Sequence, residues 1–93
     1  MKKYMLIITC DRSLEEPQFF STFDEAQDAM IADYANSIDM DIESVKTAYE
    51  SGNSCHDDYG LYEDSAWLSG FSNIDWFIVN ISEYDIARSN LQQ

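Results

Sequence analysis

The stretch "IDWFIVNI", residues Ile74–Ile81, decides the fold because it is apolar on both faces that a β-strand presents. Its alternate residues form two apolar sets, Ile74, Trp76 and Ile78 on one face and Phe77, Val79 and Ile81 on the other. This pattern is typical of a strand that is covered on both sides. The stretch "YMLIITC", residues Tyr4–Cys10, has the same pattern. We therefore expect these two segments to be neighbouring strands at the centre of one sheet.

Two helices are predicted between these strands. The first begins at the capping box Thr22–Glu25, in which a hydroxyl and a carboxylate satisfy free backbone N–H groups, and it extends over residues 23–37. The second has Asp41 as its N-cap and covers residues 42–51. Each helix carries apolar residues at helical spacing on one side and acids on the other.

The C-terminal third predicts a β-hairpin over residues 60–81, whose first arm, Gly60–Ser69, is more polar and suits a sheet edge. Residues 84–93 lose the pattern and are expected to fray. With a strand at residues 3–10, these elements predict one α+β domain. Its sheet is small and mostly antiparallel, and two helices pack on one face.

The charge of the chain narrows the choice of partner. The 93 residues contain 18 Asp+Glu against 5 Lys+Arg, a formal net charge of -13, while the 45% hydrophobic content is enough for a folded core. Nucleic acids and anionic membranes bind through Lys and Arg, so neither is expected as a partner. The acids instead favour a basic protein surface, or they serve only solubility.

The stretch "SCHDDYGLYEDSAW", Ser54–Trp67, contains the metal-ligand candidates Cys55 and His56. Zinc sites usually pair ligands two to four residues apart and add a second pair, which this chain lacks. Adjacent side chains on an extended chain point apart, so His56 is poorly placed to activate Cys55. We therefore expect no catalytic residues, no metal and no cofactor. The small number of cysteines, Cys10 and Cys55, favours a reducing cytoplasm.

The size of the chain, the acids of Asp24 to Glu50 on two helices, and the mixture "DDYGLYED" resemble a loose group of small acidic α+β proteins of phages and mobile elements. These proteins block host defence and include anti-CRISPR and anti-restriction DNA mimics. The resemblance covers most of the chain and rests on no sequence motif.

This resemblance implies a non-enzymatic inhibitor of a host DNA-binding protein, which occupies the PAM-reading or DNA channel of a Cas effector or a comparable groove. The acids expected to take the place of phosphates are Asp57, Asp58, Glu63 and Asp64. The acids expected to extend this surface along the first helix are Asp24, Glu25, Asp28 and Asp33. The expected aromatic anchors are Tyr59, Tyr62 and Trp67.

The alternatives differ in what the acids do. In one, the acids only keep a small protein soluble, and the chain forms a homodimer through an exposed sheet face. The second face of the central strands has three candidate covers: the C-terminal tail, the Asp11–Phe20 segment or a symmetric partner subunit. A small metal-binding or enzymatic domain is the remaining alternative.

Overall fold

The computed structural model describes residues 2–82. Its elements are β1 (Tyr4–Cys10), β2 (Ser13–Leu14), β3 (Gln18–Phe20), α1 (Phe23–Ser37), α2 (Ile42–Glu50), β4 (Tyr59–Leu61), β5 (Ser65–Ser69) and β6 (Asn73–Asn80). The strands form one antiparallel sheet in the order β2-β1-β6-β5-β4, and β3 also pairs with β1. The predicted α+β class is confirmed. The residues 84–93 expected to fray lie outside the described residues.

The sheet is built around β1 and β6, which pair along the whole of β1, from Tyr4 opposite Asn80 to Cys10 opposite Ile74. Because β6 occupies one edge of β1 completely, β2 and β3 share its other edge. Leu6 of β1 and Trp76 of β6 are fully buried against the helices. The two apolar stretches of the sequence are therefore the centre of the sheet, as expected.

Both helices begin at the residues that the sequence indicates. The backbone N–H of Glu25 donates to Thr22 Oγ1 at 3.2 Å, and that of Ser44 donates to Asp41 Oδ2 at 3.0 Å. These bonds satisfy N–H groups that have no partner inside the helix. Helix α1 then buries side chains that pack with the apolar side chains of β1, β5 and β6: Met30, Ile31, Tyr34 and Ala35.

The expected hairpin over residues 60–81 is wrong in its first arm. Gly60–Ser69 is not one edge strand, because a turn at residues 62–64 divides it into β4 and β5. The N–H of Tyr62 donates to the carbonyl of Ser65 at 2.8 Å and closes this turn. The segment is therefore folded back on itself, so β5 lies inside the sheet and β4 lies at its border.

The side of the sheet away from the helices carries a largely apolar set of side chains and is here called the open face. Directly paired residues of antiparallel strands point to the same side, which assigns its members from the register. The apolar members are Met5, Ile7, Leu14, Phe19, Trp67, Phe77 and Val79. Phe19 and Phe77 are 50% and 45% exposed. The Asp11–Phe20 segment does not cover this face, because its strands extend the sheet sideways beside β1.

Candidate protein-binding surface

The acids of the described residues lie almost entirely in solvent. Only Asp33 and Asp75 among them are half-buried, and all the others are exposed. Within residues 2–82 the structure contains one ion pair, between Lys46 Nζ and Asp28 Oδ1 at 3.6 Å. The negative field of this surface is therefore almost uncompensated by the chain's own cations.

Two pairs of acids that are distant from each other in sequence lie close together in the fold. The Gln27 side chain donates through Nε2 to the backbone carbonyl of Glu63 at 2.9 Å, so the first turns of α1 lie beside the β4–β5 turn. On a helix, residues three and four apart are neighbours, so Asp24 lies beside both Gln27 and Asp28. We call the resulting group the acidic end: Asp24, Asp28, Glu63 and Asp64.

Two more predicted contact acids, Asp57 and Asp58, lie at the other end of β4. They occupy a tight turn closed by the N–H of His56, which donates to the carbonyl of Tyr59 at 2.8 Å. The three residues of β4 separate this turn from the acidic end by about 10 Å, at ~3.3 Å per residue. The acids expected to replace phosphates therefore form two groups along the border of the sheet.

Glu25 and Asp33 do not belong to either group. Glu25 lies two residues before Gln27, a position that faces away from it on a helix. Asp33 Oδ2 accepts a hydrogen bond from Trp76 Nε1 at 2.6 Å. This carboxylate therefore supports the core, and its position differs from that of the exposed acids with which the sequence grouped it.

The three expected aromatic anchors do not form one surface. Tyr59 points toward the helices, where its ring lies 6.4 Å from that of Tyr34 and 4.6 Å from that of His56. Trp67 points to the open face on the other side of the sheet, opposite Gly60. Tyr62 lies between them at the border and is 49% exposed.

The hydroxyl of Tyr62 lies near the side chains of Cys55 and Trp67. A hydrogen bond with the Cys55 thiol is the main cause that raises the pKa of Tyr62 above its ordinary value, and the bond with Trp67 opposes this shift. A tyrosine hydroxyl is already protonated at neutral pH, and the upward shift leaves it so. Tyr62 therefore offers a partner a neutral hydroxyl and an exposed ring beside the acidic end.

Cys55 and His56 are not joined by further metal ligands. No group of three or more His, Cys, Asp or Glu side chains within residues 2–82 is arranged to hold a metal ion. The ring of His56 instead packs at a tilt against that of Tyr59, with ring centroids 4.6 Å apart. Cys55 is exposed, and both cysteines are free thiols.

A small cleft lies between the two helices and β4. It is lined mainly by apolar side chains, among them Tyr34, Ile38, Val45 and Leu61, and it holds about 20 Å³. That is room for about one water molecule, far below the ~300 Å³ at which small-molecule sites begin. Burial raises the pKa of Tyr34, which stays a neutral phenol in this wall.

Sequence reasoning missed Gln27, and it predicted the apolar second face of the sheet without deciding among its three candidate covers. The contact between Gln27 and Glu63 joins residues 36 positions apart, and no local pattern indicates it. The open face had a signal, since Phe77 and Val79 form the second apolar set of the central strand. What the pattern did not show is that this face stays uncovered by the described elements.

No protein-family model, curated protein or solved structure matches the chain. Among residues 2–82, no helix combines the length and the apolar character needed to cross a membrane.

Proposed function

We propose that this chain is a non-enzymatic, acidic protein-binding module that occupies a basic, nucleic-acid-binding surface of another protein. The observation that carries the proposal is the exposed acidic surface with a single internal ion pair, Lys46 with Asp28, among the described residues. A partner's Lys and Arg side chains then meet carboxylates that are not already neutralised. In this proposal the protein acts in the cytoplasm as a nucleic-acid mimic, and a host DNA-binding protein or a CRISPR effector is its target.

The energetics require many acids acting together. An exposed ion pair contributes only about 0.2–1 kcal/mol, so no single carboxylate accounts for binding. A dense negative field accelerates association with a basic groove and orients the encounter. The acidic end supplies four exposed carboxylates, of which only Asp28 is paired with a cation, Lys46, and Asp57 and Asp58 continue the surface along β4.

The aromatic contribution in this proposal comes from Tyr62 alone among the three expected anchors. Its ring is half exposed beside the acidic end, whereas Tyr59 packs against Tyr34 and Trp67 belongs to the open face. A partly exposed tyrosine next to carboxylates suits a basic partner, because a Lys or Arg cation packs favourably on its ring.

Capture from a host-cell lysate tests the proposal. The immobilised protein is expected to retain nucleic-acid-binding proteins at low salt and to release them at ~0.5 M salt, where screening acts within a few ångströms. Duplex DNA is expected to displace them better than polyglutamate at equal charge, because a mimic competes for the DNA site itself. If no basic or nucleic-acid-binding protein is retained at low salt, the proposal fails.

A second candidate function, solubility, is favoured by the acids that lie outside the acidic end and outside the turn at Asp57 and Asp58. Glu15, Glu16, Asp39 and Glu43 are exposed on other parts of the molecule, as expected if the acids only maintain solubility. Under this alternative, removal of any four exposed acids lowers solubility equally and changes no specific binding.

A further inference from the structure

The open face is an apolar feature of the described surface that the proposed function does not use. Phe77 lies in β6, one of the two central strands, and pairs with Ile7 of β1 and Ser65 of β5. Phe19 lies beside Met5 on the same face. An aromatic side chain presents ~150–250 Å², so these two half-exposed rings leave roughly 200 Å² of apolar surface in water.

The size of the face corresponds to a protein interface. It spans four strand positions of ~4.8 Å and a strand length of about 25 Å, a flat footprint of roughly 500 Å². Counted on two copies, this footprint is about 1,000 Å², which is at the lower limit for a specific interface.

The distribution of charge identifies what fits this face. Asp75 is its single acid among the described residues, and that residue is half-buried, while the other acids lie on helices, turns and the sheet border. A basic partner would find little to attract it here. A second copy of the chain, which carries the same -13 charge, meets the fewest like charges if it approaches along this face.

We propose that two copies of this chain pack their open faces together in a symmetric dimer. Two antiparallel sheets stack face to face at about 10 Å with their strands close to aligned, and a two-fold axis pairs each patch with itself. Phe77 lies near the middle of each face and Phe19 nearer its margin. The two helix layers and their acids point outward, so dimerisation leaves the acidic surface free.

Sedimentation equilibrium of the full chain over a wide concentration range tests this dimer. We expect twice the 10.7 kDa mass of the chain, with a dissociation constant that falls as salt rises because screening weakens repulsion between the copies. Binding to a basic partner is expected to weaken as salt rises, which is the opposite dependence. Failure of the dimer can therefore be distinguished from failure of the proposed function. A monomeric mass at every concentration overturns the dimer. The open face would then be left for another occupant, either another protein or the chain's own residues 83–93.

Two variants locate the interface, and a third controls for the added charge. Phe77→Asp is expected to raise the dissociation constant at least ~30-fold, the effect of losing an interface hot spot. Phe19→Asp makes the same substitution on β3, a strand of three residues. The fold is expected to depend less on the side chain at this position. Phe71→Asp is the matched control, because Phe71 is fully exposed in the β5–β6 turn.

The result that supports the interface is dissociation by Phe77→Asp and Phe19→Asp with an unchanged Phe71→Asp dimer. A dimer that survives both open-face substitutions overturns the proposal. Phe77→Thr keeps a good strand former at this position and serves if the aspartate variant does not unfold cooperatively. It is also expected to weaken the dimer.

Discussion

The indole Nε1 of Trp76 donates a hydrogen bond of 2.6 Å to Oδ2 of Asp33, which joins the centre of the sheet to the middle of α1. Trp76 is fully buried, and its ring also packs edge-on against Tyr34 at 5.5 Å. A buried indole N–H without an acceptor would lose its hydrogen bond to water and gain nothing in return. Asp33 therefore has a structural role.

Asp33→Ala is expected to destabilise the fold by about 1–3 kcal/mol because it leaves the Trp76 N–H unsatisfied. Asp33→Asn keeps an acceptor oxygen and is expected to cost less. Urea unfolding at neutral pH measures both. Asp28→Ala, at an exposed acid of the same helix, is the control and should change stability little. Equal losses for the Asp33 and Asp28 alanine variants would contradict this role.

Gly60→Ala is expected to displace the indole of Trp67. A Cβ at Gly60 would overlap Nε1 of Trp67, so the ring must move away from β4. The expected cost is about 1–3 kcal/mol, as for overpacking elsewhere. The emission of the half-exposed Trp67 should shift to longer wavelength as its ring enters water.

Gly70→Ala is the matched control for that substitution, because a Cβ at Gly70 meets no atom within 4 Å. Its unfolding midpoint and its fluorescence are expected to stay close to those of the unchanged protein. If the two alanine variants have the same unfolding midpoint and the same fluorescence, the contact between Gly60 and Trp67 does not contribute to stability.

Asp41 is expected to make the start of α2 sensitive to acid. Hydrogen bonds from the hydroxyl and the backbone N–H of Ser44 lower the pKa of Asp41 below its ordinary value. The cap therefore stabilises the fold above the unfolded-state pKa, and this contribution is lost as the pH falls through the lower, folded-state pKa.

A carboxylate NMR titration checks this prediction. Ser44→Ala removes the hydroxyl, the largest cause of the shift, and should return the pKa of Asp41 partly toward its ordinary value. Ser51→Ala removes a hydroxyl near the other end of α2 and is expected to leave that pKa unchanged. If the pKa of Asp41 is the same with and without Ser44→Ala, the cap bond does not form in solution.

The sequence predicted the features that depend on local patterns. The central strands followed from their two apolar sets, and the starts of α1 and α2 followed from Thr22 and Asp41, because a cap acts within three residues. The turn that divides Gly60–Ser69 was missed because an apolar and aromatic segment with only two adjacent acids, Glu63 and Asp64, also fits one strand.

The arrangement of the candidate site was less predictable because it depends on contacts between distant elements. Asp33 has the same chemical character as Asp28, and only the position of Trp76 43 residues later gives it a different role. Tyr59 and Trp67 point to opposite sides of the sheet because of the strand pleat and the turn at residues 62–64 between β4 and β5. The exposure of acids was predictable from their number.

The measurement that tests the acidic surface most directly compares two variants that each remove four negative charges. The first neutralises the acidic end by Asp24→Asn, Asp28→Asn, Glu63→Gln and Asp64→Asn. The second neutralises exposed acids elsewhere by Glu15→Gln, Glu16→Gln, Asp39→Asn and Glu43→Gln. Retention of nucleic-acid-binding proteins from lysate at low salt is quantified for both, since net charge alone would weaken them equally.

We expect the acidic-end variant to lose at least ~10-fold in retention, which corresponds to about 1.4 kcal/mol, while the second variant retains most of its binding. Both must unfold cooperatively with similar midpoints for the comparison to apply. Equal retention by the two variants would contradict a specific acidic surface and would leave the acids as a means of solubility.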